Sequence, residues 1–505
     1  MSRLGRNFRR GGNPQLSILQ RALRVLRKYG TDAHAYIPGV GVLNGLTAGN
    51  YTDTAGTQLT TKDQFVGLDL DAMGTTSFLS VPQDLTTWTS GGAFGSWSGT
   101  TATASTITAT AALAARRVRY PITPGTQVNV SATVIAGTTT GSVWVVFGTS
   151  VPAYISAATS ASVASGYVST GLVAPSNAAY VEITVRATDS GGTVGFTGIS
   201  VSTKTGIHAT QGTAGNKPVL RQGSVNMLLN SATLSTQSVA VAASPYTLSF
   251  TGTGTVTKSG TATGALVGTG ATDRVTQTFT PTAGTLTLTV TGSVTSAQLQ
   301  LGSTATTYIP TTSAKASAGT GPSYWEFGGD GTPTDYLGLG SVPFQMSNDF
   351  VVVVASRLSY APGGSNAPYV FANKANSFVS VGSITYSEAG NPNAHFYDGT
   401  TTASITHAAS VLTPAVISCR KVGNEKILRV NGAQSGAANT AEMSNVVPTN
   451  SYIGASGGSV AATLSALLYF PGDVYCTFAI KGTVSDADLL LIERLAASLA
   501  GVTLA

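Results

Sequence analysis

Four kinds of side chain in this sequence could do chemistry, and their spacing limits what that chemistry is. The carboxylates of interest fall in three clusters: Asp69 with Asp71, Glu326 with Asp330 and Asp335, and Asp486 with Asp488. Asp69 and Asp71, two apart in a weakly alternating stretch, share one strand face, but no Glu accompanies them as partner acid or base. Asp486 and Asp488 open a closing helix, where carboxylates offset the helix dipole. Asp330 and Asp335 sit in a Gly-rich turn, for which three readings stand: ordinary turn chemistry, a loop-held calcium ion, and a catalytic role. No cofactor is expected; calcium at Asp330 and Asp335 is the one metal these residues allow. His34, His208, His395 and His407 are too scattered for zinc spacing. Cys419 and Cys476 lie in strand-like strings outside any nucleophile motif and read as two half-buried thiols, with a bridge left open. No nucleophile elbow, phosphate loop or dinucleotide fingerprint occurs in a strand-turn-helix context. Among the aromatics, Trp88 and Trp97 lie in TTWTSGGAFGSWSGT, a setting that suits exposure. They are candidates for stacking on a sugar ring, against the alternative that each plugs a sandwich end. Trp144, in GSVWVVFG, and Trp325 read as core.

Charge narrows the classes further. The 505 residues carry 27 Lys and Arg against 21 Asp and Glu, a net +6. Eight of the basic residues, among them Arg3, Arg6, Arg9 and Arg10, fall in positions 1–30, which hold no acid. The remaining 19 basic and 21 acidic residues leave the body at −2. A body with that balance is not expected to bind nucleic acid, which needs Lys and Arg spread over a face. No apolar run approaches the roughly 20 residues of a membrane span, and no secretory leader pattern is present. Glu and Lys are too scarce for a coiled coil.

The pattern of elements is all-β: tandem antiparallel β-sandwiches or jelly rolls, with a short amphipathic helix near the start and a capping helix at the end. Residues 1–30 read as a basic arm and helix. Asn13 caps, Pro14 takes the first turn, Gly30 stops it, and Leu16, Leu19, Leu23 and Leu26 step by 3, 4 and 3. Such a stripe must dock on the body, on copies or a larger partner, or on a membrane surface. Residues 31–80 read as a linker with short strands. Residues 81–204 form a first sandwich: Val128, Val130, Ala132 and Val134 share a face, and Val181, Ile183 and Val185 point inward while Glu182, Thr184 and Arg186 point outward. Residues 205–223 form a connector strand, and 224–315 a second sandwich with Leu286, Leu288 and Val290 on one face and Leu299 and Leu301 repeating the pattern. Residues 316–505 have longer strands, an Asn-Gly turn at Asn431 and a helix capped by Ser485 and stopped by Gly501.

Three groups of strings carry a resemblance. NMLLNSATLSTQSVAV (226–241) and QLQLGSTATTYIPTT (298–312) resemble the opening and closing strands of carbohydrate-binding-module-like sandwiches in bacteriophage fibre and other virion proteins. WEFGGDGTPTDYLGL, KILRVNG, SYIGAS, GDVYCTFAI and the final helix together resemble a concanavalin-A-like, laminin-G-type jelly roll. ATQGTAGNKPVLRQG (209–223) usually precedes its Trp-bearing strand directly, so 224–315 looks like an insertion. The resemblance implies a virion structural protein, a tail or head fibre, assembled in the bacterial cytoplasm. The resemblance covers 205–505, and 81–204 by texture, but not the N-terminal arm. There the basic amphipathic helix itself is the expected attachment to capsid, portal or tail proteins, through Arg3, Arg6, Arg9, Arg10, Leu16, Leu19, Leu23 and Leu26. A trimer that presents its sandwiches to host-surface glycan follows from the resemblance. A fibre-borne glycan depolymerase and a passive capsid decoration protein are the alternatives. The glucanases of this fold carry a Glu-x-Asp-x-Glu strand that this sequence lacks, so no enzyme is expected.

Overall fold

The computed structural model describes residues 14–29, 32–38, 40–43, 46–51, 68–69, 76–90, 100–103, 105–109, 115–149, 154–175, 177–204, 209–210, 216–328, 335–339, 343–359, 367–375, 379–455 and 469–504. They are mostly β, in antiparallel sheets, with helix α1 (Pro14–Tyr29) near the start and α2 (Asp486–Ala500) at the end. The all-β expectation holds.

The first sandwich pairs a six-stranded with a five-stranded sheet. In the five-stranded sheet the order is Tyr154–Thr159, Gly141–Gly148, Tyr180–Ala187, Ala115–Pro121, Thr89–Ser90. The period-2 pattern sets its core: Val128, Val130, Ala132 and Val134 from one sheet meet Val143, Val145, Val181, Ile183 and Val185 from the other. The second sandwich packs four strands on three around Leu248, Phe250, Leu286, Leu288 and Leu299. Leu301, expected with Leu299, is 36% exposed instead, at the end of the strand Thr295–Leu301.

The remaining strands build two larger sheets. The eight-stranded one runs Val219–Asn226, Ala316–Phe327, Gly472–Lys481, Phe350–Leu358, Ala415–Val422, Glu425–Val430, Ala433–Asn439, with Ala33–Tyr36 also on Gly472–Lys481. The ten-stranded one includes Leu46–Tyr51, Leu68–Asp69 and Ala209–Thr210 beside strands drawn from 337–453. Strands from 33–69 and 209–226 therefore sit in the same sheets as the C-terminal half. The chain leaves this jelly roll along Val219–Asn226, folds the second sandwich, and returns antiparallel to itself along Ala316–Phe327. The two strands make a stem bulged at Gly223. Gly223 has φ +72°, and a Cβ there would come within 2.5 Å of the Ala318 carbonyl, so the close approach requires glycine.

One core lies between the two sheets and a second between the eight-stranded sheet and the helices. In α2, Ser485 accepts from the Asp488 amide and Gly501 ends the helix at φ +67°, the expected cap and stop. The Asp488 carboxylate meets Lys28 of α1 at 3.1 Å, an exposed pair of small worth. Among the described side chains of α1, Ala22, Val25 and Leu26 are buried in the core that holds Ile480, Leu489 and Ile492, so this part of the helix docks on the chain's own body. Among the described residues, no helix is long and apolar enough to cross a membrane.

Replacing Leu26 with Ala is expected to cost about 2–5 kcal/mol of jelly-roll stability through the cavity it leaves. Native-state hydrogen exchange at the α2 amides reads this; unchanged protection there would mean that α1 does not pack on the body in solution.

Candidate functional site

The residues singled out by sequence are dispersed. Trp88 is 2% exposed in the first sandwich's core, and its Nε1 donates to the Pro82 carbonyl at 2.9 Å. Its ring faces are spent on packing, so it closes a sandwich end rather than offering a platform. Trp97 and Asp330 lie outside the described residues. Asp335 is 4% exposed and accepts from the Gly328 amide at 2.7 Å, a turn-closing bond. Among the described residues no group of three or more His, Cys, Asp or Glu could hold a metal ion. Arg3, Arg6, Arg9 and Arg10 are outside the described residues. Leu16, Leu19 and Leu23 lie on α1 with side chains outside them, and Leu26 is in the core. Cys419 and Cys476 are buried free thiols, both pushed up by burial, Cys476 to about 12. Thiols so protonated are poor nucleophiles.

The structure assembles a different constellation on the outward face of the five-stranded sheet. Tyr180–Ala187 runs between Gly141–Gly148 and Ala115–Pro121, and its register sets Glu182 opposite Arg119 and Thr184 opposite Arg117. On the other side Trp144 stands opposite Thr184. Trp144 was expected in the core. Val143, Val145 and Phe147 take the core side, so alternation turns Trp144 outward, half-buried. Glu182 and Thr184 also project outward as expected, yet both are fully buried.

Neighbouring side chains explain that burial. Glu182 Oε2 accepts from Arg117 Nη1 at 2.9 Å and from Arg119 Nε at 2.7 Å, and Oε1 accepts from Thr184 Oγ1 at 3.3 Å. The Arg119 guanidinium lies 5.1 Å from the Tyr180 ring centroid, and that of Arg186 lies 4.5 Å from the Trp144 ring centroid. Tyr180 lies flat over Gly148, where a Cβ would come within 2.3 Å of its ring. The result is a stiff layer of aromatic rings and guanidinium groups, anchored on one carboxylate. Arg117, Arg119 and Arg186 are three of the five Lys and Arg between 81 and 204. ARRVRY and VEITVRA show these charges as outward positions; which Arg meets which Glu is set by register, which no local pattern carries.

A second charged cluster lies at the stem, beside a cavity of about 210 Å³ between the second sandwich and the jelly roll. Glu326 and Asp473 are cross-strand partners. Glu326 binds Arg221 at 2.7 Å and Lys315 at 3.3 Å; Arg357 Nε donates to Asp473 at 2.8 Å. Burial pushes the Glu326 carboxyl up, but Lys315 and Arg221 more than reverse this and hold it at about 2. For Asp473 burial wins over Arg357, and Glu326 adds repulsion, raising it to about 6. Tyr324, Tyr475 and Tyr246 also face this pair. The three cations come from before the insertion, after it and the jelly roll, so the cluster ties the stem to the sheet.

No protein-family model matches the chain, and no curated protein matches it. Among solved structures it is similar to the botulinum neurotoxin serotype D binding domain, at 10% identity over 35% of this chain and 42% of that one, with a TM-score of 0.26. It is similar also to the Ruminococcus gnavus IT-sialidase CBM40 bound to α2,3-sialyllactose, at 15% identity over 29% of this chain and 83% of that one, with a TM-score of 0.23. The chain thus spans less than half the length of the botulinum domain that it matches. Likenesses this slight decide neither its fold nor its function.

Asp473 gives the stem a pH signature. Its folded value near 6 lies above its ordinary 3.8, so its contribution to stability is full below 3.8 and is lost as pH rises through 6. Between pH 7.5 and pH 5 the wild type is expected to gain about 1 kcal/mol relative to Asp473→Asn. Urea unfolding of both proteins at the two pH values measures this; parallel behaviour would show that Asp473 does not titrate in that window.

Proposed function

We propose that this chain is an adhesion protein that holds glycan on the outward face of its first sandwich, carried on a bacteriophage fibre. The observation that carries the adhesive part is the layer of Trp144, Tyr180, Arg117, Arg119 and Arg186 around buried Glu182. Sugars need flat apolar surface for their C–H faces and fixed polar groups for their hydroxyls. Here the half-buried Trp144 supplies the apolar contact and the guanidinium groups the polar ones, while Tyr180, 8% exposed, backs Arg119; all are held in place before any ligand arrives, which lowers the ordering cost of binding. Its rigidity comes from one carboxylate and two ring faces, so no large rearrangement is needed. The fibre part rests on the resemblance of 205–505 to virion modules, and the trimer and the attachment partners rest there too.

The docking of α1 revises how attachment would work. With Ala22, Val25 and Leu26 committed to the body, the helix is part of the jelly roll's packing. The basic residues Arg3, Arg6, Arg9 and Arg10 that precede it are then the contact with an acidic surface on the particle.

A second reading, cleavage of the glycan, has one observation in its favour: the Glu326 and Asp473 pair, with one carboxyl held ionised and the other able to carry a proton near neutrality. The same residues are fully engaged by Arg and Lys, which suits a clamp better than an acid and base.

Three measurements test these readings. On a glycan array the intact chain should bind, and Trp144→Ala, with its folding checked by circular dichroism, should bind at least about tenfold more weakly, the value of 1.4 kcal/mol of lost contact; equal binding would remove the face from consideration. Deleting residues 1–12 should leave a folded protein that is not incorporated into particles, and normal incorporation would reject the arm as the attachment. Release of reducing ends from host polysaccharide by the intact chain, lost in Glu326→Gln, would replace adhesion with cleavage.

A further inference from the structure

Arg117 and Arg119 are more than ornaments of Glu182. Each spends part of its guanidinium on that carboxylate: Arg117 uses Nη1 and Arg119 uses Nε. Among the described residues, Arg117 Nε and Nη2 and both Arg119 Nη atoms have no hydrogen-bond partner. The two side chains are 19% and 25% exposed, while Glu182 beneath them is fully buried. They project from the same face of one strand, two residues apart, which spaces their backbones by about 7 Å. Val118 between them packs on the core, and the Tyr180 ring holds Arg119 flat. Two planar forks are therefore fixed side by side, with accessible donors and a net charge of one positive unit after Glu182 is counted. Arg186 lies nearby, over the Trp144 ring.

Such an arrangement is matched to an anion. Guanidinium binds a planar carboxylate through two parallel N–H donors, a geometry that Lys cannot offer. Neutral hydroxyls leave the net charge uncompensated, so a sugar without an acidic group uses the site less well. We propose that the face selects acidic glycans, and that Arg117 and Arg119, oriented by Glu182, are the residues that grip the sugar's anionic group. This rests on the adhesive reading of the same face and adds the substrate class to it. The shared chemistry is an anionic substituent on a sugar, either a carboxylate or a sulfate ester; two planar forks favour the carboxylate.

The test is titration of the intact chain with matched glycans, by calorimetry at low and high salt. Sialyllactose against lactose, and oligogalacturonate against neutral galacto-oligosaccharide, compare carboxylate with none; a sulfated galacto-oligosaccharide reports the other anion. Acidic sugars are expected to bind at least about tenfold more tightly than their neutral partners, with the margin shrinking as salt rises. Removing both arginines alone would leave Glu182 buried and unpaired, which is destabilising in itself. The informative variant is therefore Arg117→Gln, Arg119→Gln and Glu182→Gln together, which removes the charges as a set. It should lose the acidic preference and keep whatever binding neutral sugars show. Arg117→Lys with Arg119→Lys keeps the charge and should lose most of the preference for carboxylate.

Equal binding of acidic and neutral sugars by the intact chain would overturn the selectivity and leave adhesion standing. Absence of binding to any sugar would overturn adhesion itself, and the selectivity with it. An acidic preference that survives in the triple variant would place the anion site elsewhere and overturn the assignment to Arg117 and Arg119. Tighter binding of the sulfated sugar than of the carboxylated ones would overturn the preference for a planar anion.

Discussion

The strand Gly472–Lys481 has two edges to satisfy, and much of the molecule exists to satisfy them. On one side Phe350–Leu358 pairs with it along nearly its whole length. The other edge is divided: Trp325, Glu326 and Phe327 pair with its first residues, and Ala33–Tyr36 pairs with Thr477–Ile480. Its backbone groups are buried and must be hydrogen-bonded, so these distant pieces of chain are required at one place. The N-terminal segment is held there because it completes an edge. The inserted sandwich leaves and returns there because its stem is the next strand out. Both α1 and α2 cover the face that this strand turns away from the other sheet.

In a chain with 10% charged residues, each buried charge has to be answered by name. Glu493 of α2 is buried and accepts from Arg429 Nε at 2.9 Å and Ser418 Oγ at 2.6 Å, fastening the helix to the sheet. Glu326 and Asp473 fasten the stem. Glu182 is answered by two arginines, where the first two cases use one apiece or share a cluster. It also fastens nothing to anything: all three residues lie on adjacent strands already paired through their backbones. It is a cross-strand pairing of the ordinary stabilising kind, but made with two cations to one anion, which leaves a positive unit on that face.

How much of this was legible in the sequence depends on the range of the cause. Alternation in VNVSATV and VEITVRA is a property of neighbours, and the inward valines follow directly from it. The caps of α2 are equally local. Trp144 was misplaced because its neighbours are apolar on both sides, so the string does not say which alternate set is the core; the sheet's register does. For Trp88 the surrounding Gly, Ser and Thr left both sugar stacking and a plugged sandwich end open; Asp84 turns the chain there and Leu85 and Trp88 drop into the core together, which is the second. The fate of residues 31–80 was out of reach, since Ala33–Tyr36 is too short to signal a partner more than 400 residues away. The candidate site failed to show for the same reason: Arg117 and Glu182 are 65 positions apart, and only the pairing of two strands makes them neighbours.

The charge balance gains a different meaning once the register is known. Counted by sequence, the body is −2 and unsuited to nucleic acid. Counted by surface it is uneven, because acids such as Asp473, Glu493 and Glu182 are buried in pairs and do not contribute their sign to the outside. A carboxylate sunk beneath two partly exposed guanidinium groups leaves that patch of the outer layer positive even though the sum is nearly neutral. Net charge excludes a broad basic face of the kind nucleic acid needs, and it still permits a small one. A site for a single anionic group on a sugar requires no more than that, and a nearly neutral surround restricts the attraction to ligands that place their charge at those two forks.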